Sequence, residues 1–556
     1  MKKIHLIALL CCLWSSIAHA NNEARMDSLT QALLQHFGSQ LPQGITVDED
    51  HKLHIQLRDF LANPTAKHYF EQMGQLIIEE KAAHNPHEVC IEGLHLDSIH
   101  LSPQATHRMM RKAVGIPQTT FCLSVPYTYM SVDGKNNPVR LSSIMYHPRP
   151  FQLSVSAEVG VFNLFVPALL VSAIIDGVKG LWNTAVGYTF DYAILDCHPT
   201  VTSSAEAPSG VSPLDGDIKM FCSDYAIVVC PDYCGYGLSA YKQHPYLVQG
   251  VTARNVVDCY LAALDLIQSN RDQGATGSWE LSKDFYTDIL GYSQGGSVAL
   301  ATLRYLESGQ VSQTDLDRIR LRNTYCGDGP YSPPATIAQY VEWANGTDER
   351  YRKLAYPCVL PLIVQAAKDA YDNDCMRTVS VEDYFTPQFL ATGILEKLNS
   401  KSITTDQLNA LTFAQGLHTL DQVLSEKIVS MTNTAEGKPQ LELNTESNEY
   451  KCLMRALQLN DLTQGWTPRH NLLFMHFSDD LVVPTSNMEA VKKQLKPSPN
   501  CKMIFTDPYE VKERMSTFWS TASEYIKNTL TNPTHATIGT FFYMAAASGA
   551  LQEMIK

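Results

Sequence analysis

Gly291-Tyr292-Ser293-Gln294-Gly295-Gly296 follows an apolar run at 286–290 (YTDIL) and opens onto a small-residue helical pattern at 297–306 (SVALATLRYL). Strand, sharp turn and helix is the context in which Gly-x-Ser-x-Gly carries information, because the string alone arises by chance in a chain this long. The reason is steric. A turn this tight leaves no room for side chains two positions before and two after the serine. Its hydroxyl is thereby held out at the end of a sheet, while the helix start offers free N–H groups to a developing negative charge.

A serine hydroxyl is a weak nucleophile at neutral pH and needs a base, and the base needs an orienting carboxylate. In a strand–turn–helix of this type those partners follow in the order acid, then histidine. Downstream of Ser293, His476-Phe477-Ser478-Asp479-Asp480-Leu481 follows an apolar strand pattern at 471–477 (NLLFMHF). Asp480 is the expected acid, with its neighbour Asp479 the alternative; an Asp pair at a strand end is otherwise ordinary loop and capping chemistry. His535, in Asn532-Pro533-Thr534-His535, is the one histidine beyond the acid and is the expected base. His476 and His244 fail on order, and His476 reads as a buttress of the acid loop. Two backbone donors are needed for an oxyanion, each contributing about 3 kcal/mol. Gln294 supplies one. The other is expected from the loop after an earlier strand, His198-Pro199-Thr200-Val201, where proline has no N–H and so Thr200 or Val201 must donate.

The first twenty residues read as an export signal: Lys2 and Lys3, an apolar stretch at 4–14, and Ala18-His19-Ala20 as a small-x-small cleavage site. The expected localisation is therefore periplasmic or secreted. The chain has 43 basic against 57 acidic residues and a net charge of −14; loss of Lys2 and Lys3 makes it more negative still. There is no basic run, so no nucleic-acid partner is expected. Its fourteen cysteines form no C-x-x-C pair, so no metal site is expected. The length demands more than one core.

Residues 21–118 read as a mainly helical extension. The core is expected over 119–330 and again over 466–556, as apolar strands alternating with helices, which means a mostly parallel sheet covered on both faces. It opens with β-type runs at 121–132 and 139–146 around a hairpin turn at 133–138. An apolar block at 159–182, broken by Pro167 and short of a comfortable membrane span, reads as a buried helical segment, with contact to lipid or a long acyl chain as the alternative. Residues 331–465 read as a large helical insertion with polar linkers such as 431–450, a cap or lid over the site.

Together these pieces resemble the α/β-hydrolase superfamily, and within it the exported lipase/esterase group that includes the secretory lipases. The narrower resemblance rests on Pro231-Asp232-Tyr233-Cys234-Gly235-Tyr236-Gly237 followed by His244-Pro245-Tyr246, on Gly291 to Gly296, on Gly329-Pro330-Tyr331, and on Gly465-Trp466-Thr467-Pro468 leading to His476 and Asp480. It implies an α/β-hydrolase fold, a Ser293–His535–Asp480 triad, no cofactor, and small-molecule or lipid esters as substrates, with transient lipid-surface contact. Pro199 stands where that group often has glycine, and a helical pattern at 510–530 precedes His535 where a shorter loop is usual. An exported peptidase of the same fold is the nearest rival, though 21–118 lacks the strand repeats of a propeller. A binding protein that keeps the fold without the chemistry would be expected to lack one of the three residues.

Overall fold

The computed structural model describes residues 45–47, 53–55, 121–149, 188–210, 226–272, 279–514, 530–531, 533–547 and 549–556. The export signal, most of the 21–118 extension and the apolar block at 159–182 lie outside them. Within the extension, β1 (Ile45–Val47) and β2 (Leu53–Ile55) pair antiparallel, so that part is strand rather than helix.

The long hairpin β3 (Phe121–Val132) and β4 (Pro138–Arg149) turns through 133–137, with Asn136 in the left-handed region at φ 63°. Then come β5 (Tyr188–Cys197), β6 (Ala226–Pro231), helix α1 (Gln249–Asp272), β7 (Trp279–Tyr292), α2 (Gln294–Leu306) and β8 (Leu321–Gly327). An insertion follows, with helices α3 (Pro333–Asn345), α4 (Val359–Ala370) and α5 (Thr405–Ala414), strands β9 (Val429–Asn433) and β10 (Pro439–Leu443), and α6 (Asn448–Leu459). The chain then returns to the sheet through β11 (Asn471–Met475), α7 (Ser486–Gln494), β12 (Met503–Thr506), α8 (Pro508–Arg514), α9 (His535–Ala547) and α10 (Ala550–Ile555).

The eight-stranded sheet runs in the order β12-β11-β8-β7-β5-β6-β4-β3. From β6 to β12 its neighbours are parallel, and the β3–β4 hairpin closes one edge antiparallel. Alternation of side chains feeds two cores. Ile289, Leu472 and Phe474 join one with residues of α1, α2 and α7. Leu290, Leu473 and Met475 join the other with residues of α9 and α10. After β5 the chain steps outward to β6, then returns to place β7 on the other side of β5. The ends of β5 and β7 therefore form the crevice where strand order reverses, the place where open α/β sheets build sites.

The insertion has its own core, in which Ile337, Leu362, Phe389 and Leu457 pack with Tyr246 and Leu247 from the segment leading into α1 and with Val251 in its first turn. Helix α5 ends at Ala414, and Gly416 just beyond it takes φ 72°. One expectation about the insertion fails. The supposed linker at 431–450 holds the β9–β10 hairpin, in register from Val429 opposite Leu443 to Asn433 opposite Pro439. It looked polar because its only buried residues are Val429 and Leu441.

Candidate active site

Ser293 sits between the last residue of β7 and the first of α2, at φ 59° and ψ −126°. For a residue with a side chain this is a strained conformation, and the surroundings enforce it. A Cβ on Gly291 would lie 2.1 Å from the carbonyl oxygen of Gly295, and one on Gly295 would lie 1.8 Å from that of Cys197. Only glycine lets the helix start press this closely on the ends of β7 and β5. The Ser293 N–H donates to the Gly327 carbonyl at 2.9 Å, pinning the turn to the next strand.

The structure brings the three expected partners together. Ser293 Oγ lies 2.8 Å from His535 Nε2, and His535 Nδ1 lies 2.6 Å from Asp480 Oδ2. The other oxygen, Asp480 Oδ1, accepts from the N–H groups of Val482 and Val483 at 2.7 and 3.0 Å. Asp479 is not the partner: it faces the insertion, accepting from Tyr351 Oη and from Arg350 Nη1. His535 begins α9, and its backbone carbonyl accepts from Tyr292 Oη at 2.7 Å. The residue beside the serine thus anchors the residue bearing the imidazole.

Electrostatics follow from burial and pairing. Burial works to lower the His535 pKa, but the Asp480 carboxylate beside it wins and holds it above the usual histidine value. Burial likewise works to raise the Asp480 pKa, but the imidazolium of His535, its hydrogen bond, His476 and the Val482 N–H together hold it below the usual carboxylate value. His476 lies behind the pair with Nδ1 2.9 Å from Asp328 Oδ1, both side chains buried. Asp328 also accepts from the Phe477 N–H at 2.7 Å, so it ties the end of β8 to the end of β11.

Of the candidate oxyanion donors, Gln294 is the first residue of α2, where N–H groups have no partner within the helix. Thr200 lines the same cavity as Ser293 and His535, its hydroxyl 2.9 Å from Tyr246 Oη. The Val201 side chain clusters with Ala207 and Tyr236, and its carbonyl accepts from Tyr236 Oη. The cavity measures about 340 Å³, and the insertion supplies part of its wall through Ile337, Tyr340, Val359, Ile363 and Leu457. Among the described residues no group of three or more His, Cys, Asp or Glu side chains is placed to hold a metal ion.

No protein-family model matches this sequence, and no curated protein does. Solved structures do resemble it. A ligand-bound form of the rice cell wall degrading esterase LipA from Xanthomonas oryzae aligns at a TM-score of 0.52 and 17% identity, over 82% of this chain and 96% of that one. Another crystal structure of the same esterase gives 0.51 and 16% over the same shares. The chain has the α/β-hydrolase fold. Candida antarctica lipase A in its closed state aligns at 0.40 and 13%, over 77% of this chain and 87% of that one. The likeness to the Xanthomonas esterase carries architecture alone, and the chemistry has to be read from the residues in place.

Within the α/β-hydrolase frame two features escaped the sequence reading. The first is Glu206, whose carboxylate accepts from the N–H groups of Thr202 and Ser203 on its own loop and of Thr405 at the start of α5, all at 3.0–3.2 Å. Ser204 N–H to Lys401 O at 2.9 Å and Thr202 Oγ1 to Ile403 O at 2.8 Å complete the fastening. Nothing in the local sequence 201–207 (VTSSAEA) marks that carboxylate. The second is the pair of His244 and Gln294, whose side-chain nitrogens meet at 2.8 Å. A histidine ahead of the serine in sequence offered no signal that the two would touch.

Proposed function

We propose that this chain is an exported serine hydrolase of carboxylic esters. The observation that supports it most is the unbroken chain from Ser293 Oγ through His535 to Asp480, at 2.8 and 2.6 Å. In this reading Ser293 attacks the ester carbonyl, and His535 takes its proton and returns it to the leaving alcohol. Asp480 keeps Nδ1 protonated, so that Nε2 faces the serine as the acceptor, and it balances the imidazolium that forms. The N–H of Gln294 and one from the loop at Thr200 hold the oxyanion. Water then enters by the same route and releases the acid. Substrates are small-molecule or lipid esters, bound in the cavity beneath residues 331–465 acting as a cap, with transient contact to a lipid surface. The apolar walls of that cavity, among them Ile337, Val359, Ile363 and Leu457, support an apolar acyl group. The disulfide Cys375–Cys452 within the cap supports export to an oxidising compartment, and no helix among the described residues is long and apolar enough to cross a membrane.

An acyl-chain series of nitrophenyl esters set against aminoacyl anilides tests this. Hydrolysis of the esters, with a rate that varies with chain length and vanishes in Ser293→Ala, is expected. Turnover of the anilides alone would make the chain a peptidase instead.

A further inference from the structure

His244 lies in the connection between β6 and α1, shut off from solvent, and the triad makes no use of it. Its Nδ1 is 2.8 Å from the carbonyl oxygen of Cys234. A carbonyl oxygen can only accept, so Nδ1 carries the proton. Burial, helped by the nearby Lys401 ammonium, pushes the imidazole pKa down to about 3, so at ordinary pH the ring holds that proton alone. Nε2 is then a bare acceptor. The Gln294 carboxamide 2.8 Å away must present its NH₂ to it. The Gln294 oxygen Oε1 is buried and has no hydrogen-bond partner among the described residues, so His244 alone determines which way that amide faces.

The position of this amide matters because Gln294 follows the nucleophile and begins α2. His244 also ends a ring stack that reaches the other side of the site. His198 lies on Tyr233 with centroids 4.0 Å apart, and Tyr233 lies 10° from parallel with His244 at 6.1 Å. His198 opens the loop that carries Thr200. The two backbone segments expected to hold the oxyanion are thus joined by one buried assembly, with His244 at the junction.

We propose that His244 is a positioning residue for ester hydrolysis: it grips the Gln294 carboxamide, fixes the peptide N–H of Gln294, and ties that donor to the 198–200 loop through Tyr233. This role rests on the proposed reaction at Ser293. It predicts that loss of the grip is felt in the transition state and not in substrate binding.

His244→Phe keeps the ring and its stacking but removes both nitrogens, and Gln294→Met keeps the chain length but removes the donor. In the full-length protein each is expected to lower kcat on a nitrophenyl ester about tenfold, short of the loss of a whole oxyanion donor, with KM unchanged. The double variant is expected to be no slower than either single one, because both remove the same contact. A raised KM with kcat intact, or single effects that multiply in the double variant, would overturn the role. Should His244→Phe fail to fold, Gln294→Met decides alone: a tenfold fall in kcat at constant KM supports it, and wild-type kcat overturns it. Ester hydrolysis surviving Ser293→Ala would be a different failure, since it removes the reaction itself, whereas loss of coupling between His244 and Gln294 leaves that reaction standing.

Discussion

Asp480 and His535 pull each other's ionisation in opposite directions, and the consequences can be measured. A general base works as the neutral imidazole, and its pKa here is raised by the carboxylate. The acid limb of kcat/KM should therefore be centred above about 6.5, the ordinary histidine value. The signs for stability are separate. What His535 contributes is fully present below its unfolded pKa and is lost as pH rises through its raised folded value. What Asp480 contributes is present above its unfolded pKa and is lost as pH falls through its depressed one. In Asp480→Asn the main cause of the upward histidine shift is gone, and only the weaker pull of Asp328 remains. The acid limb should then move to lower pH, and kcat should fall by roughly 10³ to 10⁴ as the imidazole loses its correct tautomer. An Asp480→Asn enzyme with an unmoved pH profile would show that the carboxylate does not face the base. The three side chains that meet here, Ser293, His535 and Asp480, were legible as candidates in the sequence, because the order serine, acid, histidine left one histidine beyond the acid and one Asp-Asp pair at a strand end. The choice within that pair was less secure. The fold separates them by giving Asp480 the buried N–H groups of Val482 and Val483 and leaving Asp479 at the surface.

Between elements, the sheet strands were visible because their apolar runs are buried on both faces, as at 226–231 and 471–475. The β9–β10 hairpin was not, since one face of it is wet and alternation over five residues with two buried side chains resembles a polar linker. The fastening of the insertion to the loop after β5 was also invisible, because Glu206 and Thr405 are 199 residues apart. That fastening carries a prediction. Glu206→Ala leaves the N–H groups of Thr202, Ser203 and Thr405 without their shared acceptor, at a cost of about 2 kcal/mol. Thermal unfolding should begin earlier, and kcat should fall because the same loop carries Thr200. Glu206→Gln keeps one acceptor oxygen and should fall between the two. A Glu206→Ala protein with wild-type melting and wild-type kcat would show that the insertion and the loop are independent.

For the molecule as a whole, the crevice between β5 and β7 is where every element of the site converges. The loop after β5 brings Thr200, the turn after β7 brings Ser293 and Gln294, the loop after β11 brings Asp480, and α9 brings His535 with its backbone held by Tyr292. An insertion with a core of its own lines part of the cavity there. The proposed reaction requires that this convergence activate Ser293 as a nucleophile. A fluorophosphonate probe tests it most directly, because an unactivated serine does not react with one. Incubation of the folded, full-length protein followed by peptide mass spectrometry should place a single phosphonate on the peptide containing Ser293, with labelling abolished in His535→Ala. Folded wild-type protein that stays unlabelled, or that labels equally well without His535, would contradict it.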